Sequence, residues 1–357
     1  MPTPSHIKAA IKRASAKARK NGNKLDAEAL KELQAVYKQA SEEIRLRITL
    51  MAGADGTVRL DNLRELRRQV DAVIDELGWK EEMLVTGYKE RAAATAVGAL
   101  AYALPTAKLD DLAGEAVRAA RRFQADDGLQ LSDRLWRVNN HAREVVGRAV
   151  ESAIIQGNSA SQAAEDFIRR GVPVPDELPN KIKIADSSAI GRATTKELMT
   201  GEGAPYHNAR RLFRTEINRA HGMAYQQSVF ELDDTVGTRF LLSPAHPEPD
   251  ICDMHAKVNR YGLGKGVYPP GKSPWPAHPN TLSYEEVVFE DEVSAEDKTG
   301  KEDRIHWLNQ QTPTVQYQVL GAQKKQQALA MGHLTENEIN TPWKVLKKKY
   351  ARKGIEL

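Results

Sequence analysis

A single cysteine, Cys252, stands three residues before His255 in the stretch HPEPDICDMHAKVNR (His246 to Arg260), with Asp250 and Asp253 on either side. Two chemistries suit these residue types. A thiolate beside a histidine base can act as a nucleophile, and thiolate, imidazole and carboxylate are all zinc ligands. A second stretch, PWPAHPNTLSYEE (Pro274 to Glu286), adds His278. Zinc takes about four ligands, and Cys252, His255, His278 and Asp250 would supply them if the two loops meet. The spacing is short of a full zinc signature, because Pro279, Asn280 and Thr281 follow His278 and bring no second tight ligand pair. A polar loop without metal is a third reading of the same residues, and spacing leaves all three open. No oxyanion-hole motif accompanies Cys252, and no Gly-rich phosphate loop, H-E-x-x-H or G-x-S-x-G occurs. GLGKG (Gly262 to Gly266) lacks the glycine spacing and Ser/Thr of a phosphate loop and reads as a turn. No catalytic residue is assigned.

Charged side chains form a second group of candidates. In RRLFRTEINRAHGMAY, helical spacing of three and four sets Arg210, Arg214 and Asn218 along one side, with His221 and Tyr225 one step round. Such a stripe could hold a phosphate or a carboxylate. Its plainer reading is a solvent-facing helix on which Glu216 and Arg219 form a weak surface ion pair. The net charge is only +4, but Lys8, Lys12, Arg13, Lys17, Arg19, Lys20 and Lys24 all precede the first acid, Asp26. At the other end stand Lys344, Lys347, Lys348, Lys349, Arg352 and Lys353. Basic ends point to nucleic-acid phosphate or an acidic protein surface as partner, or to solvated tails.

The elements that must position these groups are mostly helical. The first 130 residues are rich in Ala, Leu, Glu, Lys and Arg, which favours helix throughout. Leu63, Leu66, Val70, Val73, Ile74 and Leu77 recur at spacings of three and four, predicting one buried face with Asp61 as N-cap and Gly78 closing the helix. A further helix is expected from Lys89 to Leu104, ended by Pro105. Leu135, Val138, Ala142, Val145, Ala149 and Ala153 make another inward stripe. Gly157 is placed to close that helix, and Ser159 with Gln162 has capping-box spacing for the next. GVPVPDELP (Gly171 to Pro179) reads as a linker, and helix resumes near Asp186 with a break at TGEGAP. TVGTRFLLS and SYEEVVF read as short strands around a region dense in Pro, Gly, His and Asn, and helical character returns towards the end. The expected class is therefore mainly α, α+β. It comprises a helical N-terminal region (1–130), a helical core (131–232), a small β/loop unit (233–292) and a basic helical C-terminal region (293–357), the helical regions elongated.

At 357 residues, with 41% apolar and 28% charged residues, the composition is that of a globular protein with room for a sizeable core. One cysteine rules out an intramolecular disulfide framework and fits a reducing compartment. The basic start has no apolar signal-peptide core, so export by that route is not expected. The longest apolar run, Ala92 to Leu104, is well below the roughly 20 residues that span a bilayer, so no membrane anchor is expected.

The succession LSDRLWRVNNHAREVVGRAVESAIIQGNSASQAAEDF, RTEINRAHGMAYQQ, TRFLLSPAHPEPDICDMHA and PPGKSPWPAHPNTLSYEEVV resembles the Mu F-like minor head proteins of tailed phages, the head morphogenesis family. The likeness covers roughly residues 130 to 292, and the tail from Val319 to Leu357 is similar to C-terminal regions of Mu-like members. It implies a minor capsid component located in the virion head, recruited in the host cytoplasm during procapsid assembly. The implied partners are the portal, scaffold or major capsid protein and packaged double-stranded DNA, with no membrane and no enzymatic activity of its own. Many members carry C-x-x-C or C-x-x-H followed by H-P-x-C-x-C, a pattern suggesting a metal knuckle. Here Cys252 and His255 match the first half, whereas Thr281 and Ser283 stand where the second-half cysteines would be, so no complete ligand set carries over. No cofactor is assigned, and zinc stays a candidate. Some members carry attached toxin-like or nucleic-acid-modifying domains. An enzymatic effector in residues 293–357, with His306 or His333 at its centre, is therefore the alternative reading, and a basic nucleic-acid-binding module the third.

Overall fold

Strong helix formers fill the first fifty residues, and α1 (Ser5–Leu50) runs through nearly all of them as 46 residues of continuous helix, about 70 Å at 1.5 Å per residue. The structure, a computed structural model, describes residues 3–58, 62–124, 128–154, 185–201, 203–244, 246, 248–278, 281–355 and 357. Among these, α2 (Leu63–Val97), α3 (Thr106–Arg122), α4 (Leu131–Ile154), α5 (Ser187–Met199) and α6 (Pro205–Val229) follow α1. Then come β3 (Thr235–Leu241), the short helix α7 (Ile251–Lys257), β4 (Val267–Tyr268) and β5 (Tyr284–Phe289). Five helices complete the chain: α8 (Ala295–Thr299), α9 (Arg304–Asn309), α10 (Pro313–Leu320), α11 (Gln323–Ala330) and α12 (Trp343–Arg352). A two-residue pair, β1 (Thr57–Val58) with β2 (Ala185–Asp186), is the remaining sheet. The class is mainly α with a small antiparallel sheet, as composition and periodicity predict.

The chain divides into two compact units, each drawing on separated stretches. One comprises Lys24–Tyr88 and Arg121–Ile217. Among its described residues helices α1, α2, α4, α5 and α6 dominate, with the β1–β2 pair beside them, and the apolar positions fall at helical spacing: Leu33, Tyr37, Ile44 and Ile48 on α1, and Leu135, Val138, Ala142, Val145 and Ala149 on α4 are all buried. The whole predicted face from Leu63 to Leu77 is buried as well. Gly78, however, does not end α2. The helix continues to Val97, and a Cβ at position 78 would lie 2.5 Å from the Asn139 amide nitrogen of α4. The glycine is there for close helix packing, at a propensity cost of about 1 kcal/mol. The separate helix expected from Lys89 to Leu104 is thus the continuation of α2, which closes through a 3₁₀ turn at Gly98–Leu100 before Pro105 is reached. Asp61, Gly157, the Ser159/Gln162 box and the Gly171–Pro179 linker lie outside the described residues.

The other unit comprises Met1–Asn23, Lys89–Ala120 and Asn218–Leu357. Its sheet has the order β4-β3-β5, antiparallel throughout, with Arg239 opposite Val267 on one side and Glu286 on the other. Three apolar clusters hold it together. Ile11, Ala96, Leu100, Leu112, Ala116 and Val229 pack with Val287 and Phe289 from β5. Phe240, Cys252 and Tyr268 form a second cluster at the sheet. Met254 of α7 and Val258, which follows it, reach into the third, among Trp307, Leu320, Leu329 and Leu346 of the C-terminal helices. β3 and β5 fall where the two strand-like runs placed them, whereas β4 lies in the stretch between. The stretch between them, read as loop, contains α7 because Asp250 caps it: its carboxylate accepts from the Cys252 N–H at 2.6 Å, and Asp253 accepts from the Asp250 N–H at 3.0 Å.

Candidate functional site

The capping box on α7 sets the geometry of the cysteine stretch. Asp250 and Asp253 both turn back to the helix start, and Cys252, one position into the helix, points inward at 0% exposure. The second stretch approaches from the other side. His278 Nε2 lies 3.1 Å from Asp250 Oδ2, and Cys252 Sγ lies 3.6 Å from the Thr281 hydroxyl. The two loops therefore meet, and the position occupied here by Thr281 sits against the one thiol.

Of the four candidate ligands, Asp250, Cys252 and His278 bring their donor atoms within 4.8 Å of one another. His255 does not join them. Its ring packs edge-on against Phe240 and Tyr268, with centroids 5.8 and 6.3 Å away, and its Nδ1 lies 3.3 Å from the Tyr268 hydroxyl. Burial, reinforced by the positive charges of Arg304 and Arg260, pushes its imidazole down to about 3. A histidine so strongly held neutral is a weak base, and among the described residues no hydrogen bond joins it to Cys252. The thiolate–base pair is thus not assembled. In place of His255 the structure brings up His246, whose Nε2 lies 2.8 Å from Asp253 Oδ2 and 3.8 Å from Asp250 Oδ1. Both aspartates are held below the usual carboxylate range: burial opposes ionisation, but His278 and the Cys252 amide at Asp250, and Lys257, the Asp250 amide and His246 at Asp253, outweigh it. His246 and Asp253 lie inside the quoted stretch. The D-x-x-D spacing is the signal that identifies the two aspartates as a helix cap as well as candidate ligands.

The donor set of Asp250, Cys252 and His278 (one oxygen, one sulfur, one nitrogen) matches zinc chemistry with one position left for water. Two of its members already work otherwise: Asp250 caps α7 and pairs with His278, and Cys252 packs against Phe240 and Tyr268.

The basic candidates are placed individually. Arg214 Nε donates to Asp26 at 3.0 Å, and the Arg210 guanidinium lies 5.8 Å from the Tyr206 ring centre. The Asn218 amide donates to the Thr281 carbonyl at 3.1 Å. Glu216 and Arg219 are buried, at 1% and 7% exposure, so they are not the surface ion pair of a solvent-facing helix. The apolar neighbours Phe213, Ile217 and Ala220 carry both residues inward with them. Lys8 is bound to Asp234 at 2.7 Å and Asp291 at 2.8 Å, and Lys12 to Glu292. Arg13 is exposed. On α12, Lys347 and Lys348 are exposed, while Lys349 pairs with Glu338 at 2.6 Å.

Around the loop junction, α6 is tied directly to β5. Besides the Asn218 bond to Thr281, the Val287 N–H donates to the Tyr225 hydroxyl at 3.1 Å, and Gln226 donates to Glu285 at 2.5 Å. Glu285 also accepts from Ser273 at 2.5 Å and Thr238 at 2.9 Å. A Cβ on Gly222 would fall on the Trp275 indole, so the PWP loop can seat on α6 only at a glycine. Comparison of the chain with known protein families, characterised proteins and solved structures returns no match.

Proposed function

We propose that this chain is a minor head protein of a Mu-like tailed phage, acting in procapsid assembly through contacts with portal, scaffold or major capsid protein. The observation that carries the reading is the junction just described. RTEINRAHGMAYQQ, TRFLLSPAHPEPDICDMHA and PPGKSPWPAHPNTLSYEEVV, three of the four stretches whose order and spacing carry the family resemblance, are linked within the sheet-bearing unit by Asn218–Thr281, Tyr225–Val287, Gln226–Glu285 and Cys252–Thr281. The motif order is thus accompanied by mutual packing of these stretches, which supports the reading. Purified phage heads are the test. The chain is expected in mature heads or procapsids, with asymmetric density beside the portal; heads that lack it would reject the reading.

In this role the small sheet and its loops are structural. Zinc, where it binds, would be held by Asp250, Cys252 and His278 and would contribute cross-linking of the two loops rather than reaction chemistry. Thiol labelling followed by mass spectrometry separates the cases. With the loops held by hydrogen bonds alone, Cys252 labels slowly and at the same rate with and without chelator; labelling that appears only after chelation would assign the metal.

A further inference from the structure

A small cavity lies in the sheet-bearing unit where α1, α6, the PWP loop and β5 come together, with Arg19, Asn218, His221, Trp275, Ser283 and Glu285 in its wall. Its volume is about 40 Å³. Two polar atoms of this wall, His221 Nε2 and Trp275 Nε1, are buried and have no hydrogen-bond partner among the described residues. Their requirements are opposite. An indole N–H can only donate. The other nitrogen of His221 is engaged with the Ala18 backbone in a bond that favours the protonated ring, so the acceptor is the Ala18 carbonyl and the proton sits on Nδ1. That leaves Nε2 as an acceptor, and burial, which holds the imidazole down to about 4, keeps it so at neutral pH. Each group left bare would cost roughly 1–3 kcal/mol.

Size decides what satisfies them. Pockets for organic ligands run from about 300 Å³ upward, whereas one water needs roughly 10–15 Å³ of such space. Charge agrees with size: the wall carries Arg19, stacked 3.8 Å from the Tyr284 ring centre, and the carboxyl of Glu285, so neither sign of ion is favoured. We propose that this cavity is an ordered-water site, in which water donates to His221 Nε2 and accepts from Trp275 Nε1, joining α6 to the PWP loop. Asn218 and Ser283 offer further polar partners in the same wall, and the volume admits up to about three waters. The water then completes the seat that Gly222 opens for Trp275, so it belongs to the loop's docking and is not bulk solvent trapped by chance.

The test uses the full chain. Nitrogen-15 NMR of His221 is expected to show the Nδ1–H tautomer, and the Trp275 indole proton to show a cross-relaxation peak with a long-lived water. Trp275→Phe removes the donor and is expected to shift the His221 nitrogen-15 resonances as the bridge to Nε2 is lost, while the circular dichroism stays native. If that variant does not fold, a high-resolution crystal structure of the unaltered chain decides by ordered solvent within hydrogen-bond distance of both atoms. An Nε2–H tautomer, or a collapsed cavity without ordered solvent, would overturn the proposal.

Discussion

Glu81, on α2, is a carboxyl buried at 0% exposure. Burial raises its pKa to about 7, although the Tyr37 hydroxyl and Asn139 amide beside it lower it somewhat. Neither carboxylate oxygen has a well-formed hydrogen bond among the described residues. The sign follows from linkage. An acid with a raised folded pKa binds more protons folded than unfolded, so its contribution is favourable at low pH and is lost as pH rises from about 4.5 through 7. Converted at 1.36 kcal/mol per unit, the loss is about 3 kcal/mol. Glu81→Gln is therefore expected to match the parent near pH 4.5 and to exceed it in stability by about that amount at pH 8, in paired thermal melts. A constant difference across that range would show that Glu81 ionises normally.

At the scale of elements, the decisive features are those that let one backbone approach another. The seat of Trp275 on Gly222 is the clearest case, because α6 carries the RAHGMAY stretch and the loop carries the PWP stretch. Gly222→Ala would gain helix propensity by about 1 kcal/mol in an isolated helix. In the folded chain it must displace the indole, and overpacking costs about 1–3 kcal/mol. The net expectation is destabilisation by up to about 2 kcal/mol in denaturant unfolding, with Trp fluorescence shifted to the red as Trp275 leaves its site. A variant with the parent's Trp fluorescence would refute the seat. Removal of the cap, Asp250→Ala, should cost about 1 kcal/mol and loosen α7, read as faster amide exchange from Cys252 to Met254.

For the molecule as a whole, the basic ends differ in what they have left to offer. Lys8 and Lys12 are already engaged with Asp234, Asp291 and Glu292, so the charge at the N-terminal end is partly consumed inside its own unit. On α12, Lys344, Lys347 and Lys348 are exposed. If the protein touches packaged DNA, these α12 lysines, with the exposed Arg13, Lys17, Lys20 and Lys24 of α1, are where contact is expected. Binding to duplex DNA should weaken steeply with salt, and Lys347→Glu with Lys348→Glu should reduce both the affinity and the slope of that dependence. Lys8→Glu should instead lower thermal stability with little effect on DNA. Binding that is insensitive to salt, or unaffected by the α12 pair, would remove the α12 contact from the proposed role.

Much of this was legible in the sequence. The helical content, the buried faces from Leu63 to Leu77 and Leu135 to Ala149, and the two strands flanking the cysteine stretch follow from the periodicity of apolar side chains, a local property. Reading Gly78 as a helix cap misplaced the end of α2, because the reason for that glycine is the Asn139 side chain of another helix and not the local chain. The candidate ligands show the same limit. Residue types named Asp250, Cys252, His255 and His278, yet only packing could decide that His278 meets Asp250 while His255 turns towards Phe240 and Tyr268. Spacing along the chain constrains which side of an element a residue occupies. What it faces there is set by where distant segments come to rest, and that only the tertiary structure decides.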